Sequence, residues 1–147
     1  LQLNEESVHF LSPLNTARLE ALHAEAAYHR VIDHDGKIAG FLLAFREGTS
    51  YDSSNYLWFT QRYEQFLYID RVVVSKDFQG QGIGHRLYDD IFAFARKSGV
   101  TSITCEFDTD PPNAASRRFH ERFGFSEVGT RSYGEIVKQV SLQMVSV

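Results

Sequence analysis

The sequence predicts a mixed α/β fold, on three observations. Residues 28–32 and 37–45 form two largely apolar segments that flank Asp33-His34-Asp35-Gly36, whose Asp-Gly step marks a β-hairpin. Residues 65–75 are rich in β-branched and aromatic side chains, with apolar character on both faces towards the end, as a central strand requires. After a glycine-rich stretch, Ile83, Leu87, Ile91 and Phe94 recur at helical spacing until Ser98-Gly99 ends the run.

The remaining elements follow the same logic. Residues 16–27 carry Leu19, Leu22 and Ala26 at helical spacing behind a Ser12-Pro13 start signal. Residues 101–107 read as a strand, 113–123 as an amphipathic helix stopped by Gly124, and 136–145 as a last strand. No repeat, low-complexity tract or linker interrupts the chain, so residues 1–147 are expected to form a single domain.

Composition narrows the classes. With 147 residues, 43% of them hydrophobic and 23% charged, the chain suits one core. The single cysteine, Cys105, excludes an internal disulfide and reads as a small buried strand residue; no Cys/His cluster has zinc spacing, so no metal is expected. A reducing, cytoplasmic setting is the expectation. The first residues lack a basic and an apolar region, and no stretch approaches the ~18 apolar residues of a membrane helix, so neither secretion nor membrane insertion is expected. The net charge of -4 sits at the front, where residues 1–70 hold 5 Lys and Arg against 10 Asp and Glu. That balance argues against nucleic acid as a partner; a solvated acidic face is the commoner source of such an excess, and a cationic acceptor is the alternative.

Chemistry concentrates in Gln79-Gly80-Gln81-Gly82-Ile83-Gly84-His85, between the central strand and its helix. Glycines there remove the β-carbons that would keep a ligand from the backbone, and the helix dipole stands behind the exposed N–H groups. The result is an anion site suited to a pyrophosphate. His85 and Arg86 stand where a Walker A loop needs Lys and Ser or Thr, and the dinucleotide fingerprint lacks its third glycine.

Two motifs together carry a resemblance. Gln79-x-x-Gly82-x-Gly84, placed after Val72-Val73-Val74, matches the Q/R-x-x-G-x-G/A signature of the GNAT acetyltransferases. Asn113-Ala114-Ala115-Ser116-Arg117-Arg118-Phe119-His120-Glu121-Arg122-Phe123-Gly124-Phe125 resembles that family's N-x-x-A-x-x-L-Y-x-x-x-G-F helix. The segments 11–14, 40–45 and 111–113 resemble one bacterial branch of the superfamily, which brings no acceptor with it. The resemblance implies the GNAT fold, a mostly antiparallel sheet splayed at the cofactor site with helices on both faces. It also implies acetyl-CoA as the acetyl donor. Backbone along Val72, Val73 and Val74 would polarise the thioester carbonyl, and residues 79–85 would grip the pyrophosphate. Asn113, with Ser116 on its helical face, would contact the pantetheine arm. His120 replaces the family's usual tyrosine, and its imidazole could serve as the acid that protonates the departing thiolate; a purely structural histidine is the alternative.

The acceptor side is less defined. Residues 48–63 hold Tyr51, Asn55, Tyr56 and Trp58 in a stretch too polar and irregular for a strand, which reads as a substrate wall. The same rings could instead cover the core or form the interface of a homodimer. Asp70 is expected on the pleat face of Val72, with Arg71 turned away, as a carboxylate able to take a proton from an ammonium acceptor; a structural ion pair is the alternative. The expected activity is transfer of an acetyl group to a primary amine by direct attack in a ternary complex. The alternative is a non-catalytic acyl-CoA-binding or sensing module.

Overall fold

The Asp-Gly step sits where a two-residue turn needs it. Strands β1 (Tyr28–His34) and β2 (Lys37–Arg46) pair antiparallel around Asp35 and Gly36, which both take positive φ, 51° and 82°. The structure, a computed structural model, describes residues 1–6, 14–110, 112–133 and 138–147. Helices α1 (Gln2–Glu6) and α2 (Thr16–Glu25) precede the hairpin. Asn15 caps α2, its side chain accepting from the Arg18 N–H at 2.8 Å. The expected start signal Ser12-Pro13 lies outside the described residues.

Strand β3 (Leu67–Val74) pairs antiparallel with β2, and α4 (Ile83–Lys97) then leads to β4 (Ser102–Asp110), which runs parallel to β3. After α5 (Ala114–Arg122), strands β5 (Ser126–Tyr133) and β6 (Lys138–Ser146) complete a six-stranded sheet of order β1-β2-β3-β4-β6-β5. Residues 136 and 137 of the expected last strand lie outside the described residues. All pairings but β3 with β4 are antiparallel. Helices cover both faces: Ile83, Leu87 and Ile91 of α4 bury against Leu42, Ile69 and Ile103, while Leu22 of α2 packs with Leu43, Phe45 and Tyr68 on the other side. Among the described residues no helix is long and apolar enough to cross a membrane.

Two elements depart from expectation. The stretch 48–63 contains a helix, α3 (Ser54–Thr60), capped by Ser53 and anchored by Tyr56 and Phe59, both fully buried. No element is expected over residues 126–133, where the polar strand β5 carries Gly129. A β-carbon at Gly129 would overlap the Trp58 indole, so the glycine marks the close approach of α3.

The sheet opens at its centre. β3 and β4 share only the pairs Leu67 with Ile103 and Tyr68 with Thr104. On its other edge β3 is bulged: Leu43 pairs with Arg71 and Ala44 with Ile69, so Asp70 is the extra residue. A bulge bends its strand and raises the local twist, which turns β3 away from β4 beyond the last shared pair.

Candidate active site

The opening between β3 and β4 is a crevice of about 120 Å³, lined among others by Asp70 and Val72 on β3, Glu106 and Asp108 on β4, and Tyr88 and His120 from the helices. Asn113 and Ser116 stand at it as well. A larger depression of about 650 Å³ lies between α1, α2 and the hairpin, and none of the expected site residues lines it.

Glu106 is the group that sequence reasoning missed. On β4, Ile103 and Cys105 pack with the α4 core and Phe107 lies against His120 with the rings tilted, so Thr104, Glu106 and Asp108 face the opposite side. The Tyr68 hydroxyl donates to the Glu106 carboxylate, 2.7 Å from Oε2 and 2.9 Å from Oε1. Burial pushes the Glu106 pKa up to about 8; the Tyr68 and Asn55 hydrogen bonds oppose this, and the nearby Asp70 and Asp108 add to it. A carboxylate poised there has a basicity suited to an ammonium substrate near neutrality. Two residues further on, Asp108 is 6% exposed, and its Oδ2 has no hydrogen-bond partner.

Asp70 does not stand on the face of Val72. The bulge breaks the alternation, so Asp70 and Arg71 turn to the same side and pair, Arg71 Nε to Asp70 Oδ2 at 2.5 Å. The Tyr51 hydroxyl also donates to Asp70, and Arg71 donates to Asn4 Oδ1 at 2.9 Å. With side chains only 6% and 3% exposed, the pair is the structural alternative rather than an open base.

His120 is placed differently from a proton donor. Its Nδ1 lies 2.7 Å from the Ser116 carbonyl, which only accepts, so the proton sits on Nδ1. Nε2 then accepts from the Tyr88 hydroxyl at 2.6 Å. Burial lowers the His120 pKa, so the ring is neutral with both nitrogens engaged. No spare proton faces the crevice, and the role expected of an imidazolium is not the one this geometry supports. Changing His120 to Phe is therefore expected to cost about 1–3 kcal/mol of stability, by stranding the buried Tyr88 hydroxyl, and less than about tenfold in kcat. Thermal melts and turnover check this; an intact fold with a loss beyond a hundredfold would restore the proton-donor role.

The glycine loop is exposed at Gln79, Gly80, Gln81 and Gly82. Gly82 takes φ 76°, a conformation side chains resist, and starts α4; the first helical bond runs from Arg86 N to Gly82 O, so the N–H groups of Ile83, Gly84 and His85 precede the ladder. A β-carbon at Gly82 would meet nothing within 4 Å, so the turn at the start of α4 is open on that side. His85 is exposed and pairs with Asp89 at 3.2 Å. Val74 packs on the α4 core and Val73 is buried. Asn113 caps α5, its side chain accepting from the Ser116 N–H at 3.2 Å.

The aromatic stretch is mainly core. Tyr56 is fully buried and donates to the Arg46 carbonyl at 2.6 Å; Tyr51 stacks on Phe45 with centroids 4.4 Å apart. Trp58 is held between Gly129 and the Arg62 guanidinium, 4.0 Å above its ring. Asn55, also buried, accepts from Arg131 at 2.9 Å and bonds Glu106. Of these four, Tyr51 and Asn55 reach the crevice only through Asp70 and Glu106. Among the described residues, no three metal-ligating side chains converge.

The model of the acetyltransferase (GNAT) family matches residues 2–125. No curated protein matches the chain significantly in sequence. Among solved structures, the chain is similar to Ard1 from Thermoplasma volcanium, with 20% identity and a TM-score of 0.76 over 99% of this chain and 87% of that one. It is similar to an N-acetyltransferase from Staphylococcus aureus Mu50, with 19% identity and a TM-score of 0.59 over 79% of this chain, and spans 65% of that protein's length. A ribosomal-protein-alanine N-acetyltransferase from Brucella melitensis matches with 20% identity and a TM-score of 0.59, covering 80% of this chain and 67% of that one. At these identities the likeness is one of fold.

Proposed function

The chain belongs to the GNAT acetyltransferase family, and we propose that it moves an acetyl group from acetyl-CoA to a primary amine, with Glu106 as general base. The observation that carries this reading is the half-buried Glu106 carboxylate lining the opening between β3 and β4, held by the Tyr68 hydroxyl and with its pKa pushed up to about 8 by desolvation. Acetyl-CoA is the donor substrate. The N–H groups at the start of α4 suit its pyrophosphate, and the sheet opening suits the thioester, whose carbonyl would meet backbone near Val72 and Val73.

The ammonium acceptor gives one proton to Glu106, and the neutral nitrogen attacks the carbonyl carbon. A C–N bond forms, the C–S bond breaks, and the electron pair leaves on sulfur. With His120 neutral and engaged, the second nitrogen proton goes to the thiolate. The products are the amide, free thiol and one proton, which Glu106 releases to solvent. A reducing cytoplasm suits a chain whose one cysteine is buried and unpaired.

A screen of amines with acetyl-CoA, following thiol release and product mass, tests the reaction; tight acetyl-CoA binding without turnover on any amine would favour the sensing module instead. For the donor site, Gly82→Asn should keep the left-handed helix start, which asparagine tolerates, while placing a side chain before the amides. Calorimetry is expected to give at least about tenfold weaker acetyl-CoA binding with the fold intact. Unchanged affinity would remove the pyrophosphate assignment.

A further inference from the structure

Two neighbouring carboxylates on one face of β4 differ in how they are satisfied. Glu106 receives the Tyr68 hydroxyl, whereas Asp108, nine-tenths buried and lining the same crevice, has an Oδ2 with no hydrogen-bond partner. A buried carboxylate oxygen left without a donor is costly, so such atoms are rarely idle. Its position also matters. Asp108 pairs across the sheet with Val140, which belongs to the α2 and α3 core, so it shares Glu106's side and stands apart from the glycine loop at the start of α4. Residues two apart on one strand face lie about 6.5–7 Å apart, roughly the separation of the nitrogens in an extended diamine with three to five methylenes.

We propose that the acceptor is a small α,ω-diamine, its second ammonium held by Asp108 while its first nitrogen is deprotonated at Glu106. The proposal rests on the acetyl-transfer reading above. A single ammonium would not serve both groups. It gives its protons up during the reaction and departs as a neutral amide, which leaves the Asp108 Oδ2 again without a hydrogen-bond donor, with the charge of Lys138 acting on it only through space. A second nitrogen that takes no part in the chemistry stays charged, keeps Asp108 paired from binding to release, and fixes the reacting end against Glu106. The acidic excess of residues 1–70 favours the approach of such a dication.

The test compares 1,4-diaminobutane with n-butylamine, its equal in carbon length with one charge fewer, and with a short peptide bearing an alanine N-terminus. With acetyl-CoA saturating, the diamine is expected to exceed butylamine about 10- to 100-fold in kcat/KM, the worth of one charge-assisted hydrogen bond. In Asp108→Asn that ratio is expected to fall to about one, chiefly through KM of the diamine. Without donor, 1,4-diaminobutane should raise the Tm of the wild-type protein more than butylamine does, a readout that needs neither the variant nor turnover. A wild-type ratio near one, a ratio that survives Asp108→Asn, or faster turnover of the peptide would each overturn the diamine proposal while leaving acetyl transfer standing. Failure to acetylate any of the three, with acetyl-CoA still bound, would overturn the transfer reading and this proposal with it.

Discussion

Replacing Glu106 with glutamine is expected to lower kcat about 10²- to 10⁴-fold, the range of a removed general base, while acetyl-CoA affinity stays close to wild type. Glutamine keeps the side-chain shape and can still accept from the Tyr68 hydroxyl, so the loss reports the missing proton acceptor rather than a collapsed site. The pH profile separates the two further. Wild-type kcat/KM should climb through about 8, where Glu106 ionises. The variant should lack that limb and keep only the limb of the amine itself, near ~10 for an alkylammonium resembling lysine. A glutamine variant with the limb at 8 intact would move the base elsewhere.

The same substitution carries a stability signature of definite sign. The folded-state pKa of Glu106 is raised from 4.5 to about 8, so the folded protein holds a proton that the unfolded chain has released across this window. Its contribution is full below about 4.5 and is lost as pH rises through about 8. Glu106→Gln should therefore melt close to wild type at pH 4 and above it at pH 9. His120 has the opposite sign. Its pKa is lowered by burial, so its contribution is present above 6.5 and is lost as pH falls.

What the sequence made legible was local. The hairpin follows from Asp35-Gly36, the pyrophosphate loop from glycines before a helix, and α4 from Ile83, Leu87 and Ile91 recurring every fourth residue; each signal lies within one element and its neighbour. The features that were not legible depend on contacts between distant segments. The place of Gly129 in a strand is explained only once Trp58 is laid against it, and α3 looks irregular until Tyr56 and Phe59 enter the core. Glu106 was hidden by the alternation of its own strand. Ile103, Cys105 and Phe107 read as the inner face, which leaves Thr104, Glu106 and Asp108 to solvent, yet a central strand is covered on both sides and buries five of the six, with Glu106 half-buried at the opening. Only the opening of β3 from β4 gives a carboxylate there something to act on. A Glu between apolar strand residues was the one local hint.

Breaking the Asp70–Arg71 pair is expected to cost about 3–5 kcal/mol for either Asp70→Asn or Arg71→Met, because each leaves the partner's charge buried without its counterion. The pair is 6% and 3% exposed and extends to Tyr51 and Asn4, so neither charge can reach water without moving α1 or the segment before α3. Removing both charges together should cost markedly less than the sum of the two single changes, since no charge is then stranded. Urea unfolding at constant m-value measures all three variants. Kinetics of Asp70→Asn then separate structure from catalysis. Asp70 raises the pKa of Glu106, so its neutralisation should shift the ascending limb of kcat/KM to lower pH and not abolish it. If the limb vanished in Asp70→Asn and persisted in Glu106→Gln, the base would be Asp70, as its place on the central strand first suggested. If it shifts in the one and disappears in the other, Asp70 acts on the chemistry only through Arg71, the bulge it occupies and the charge it presents to Glu106.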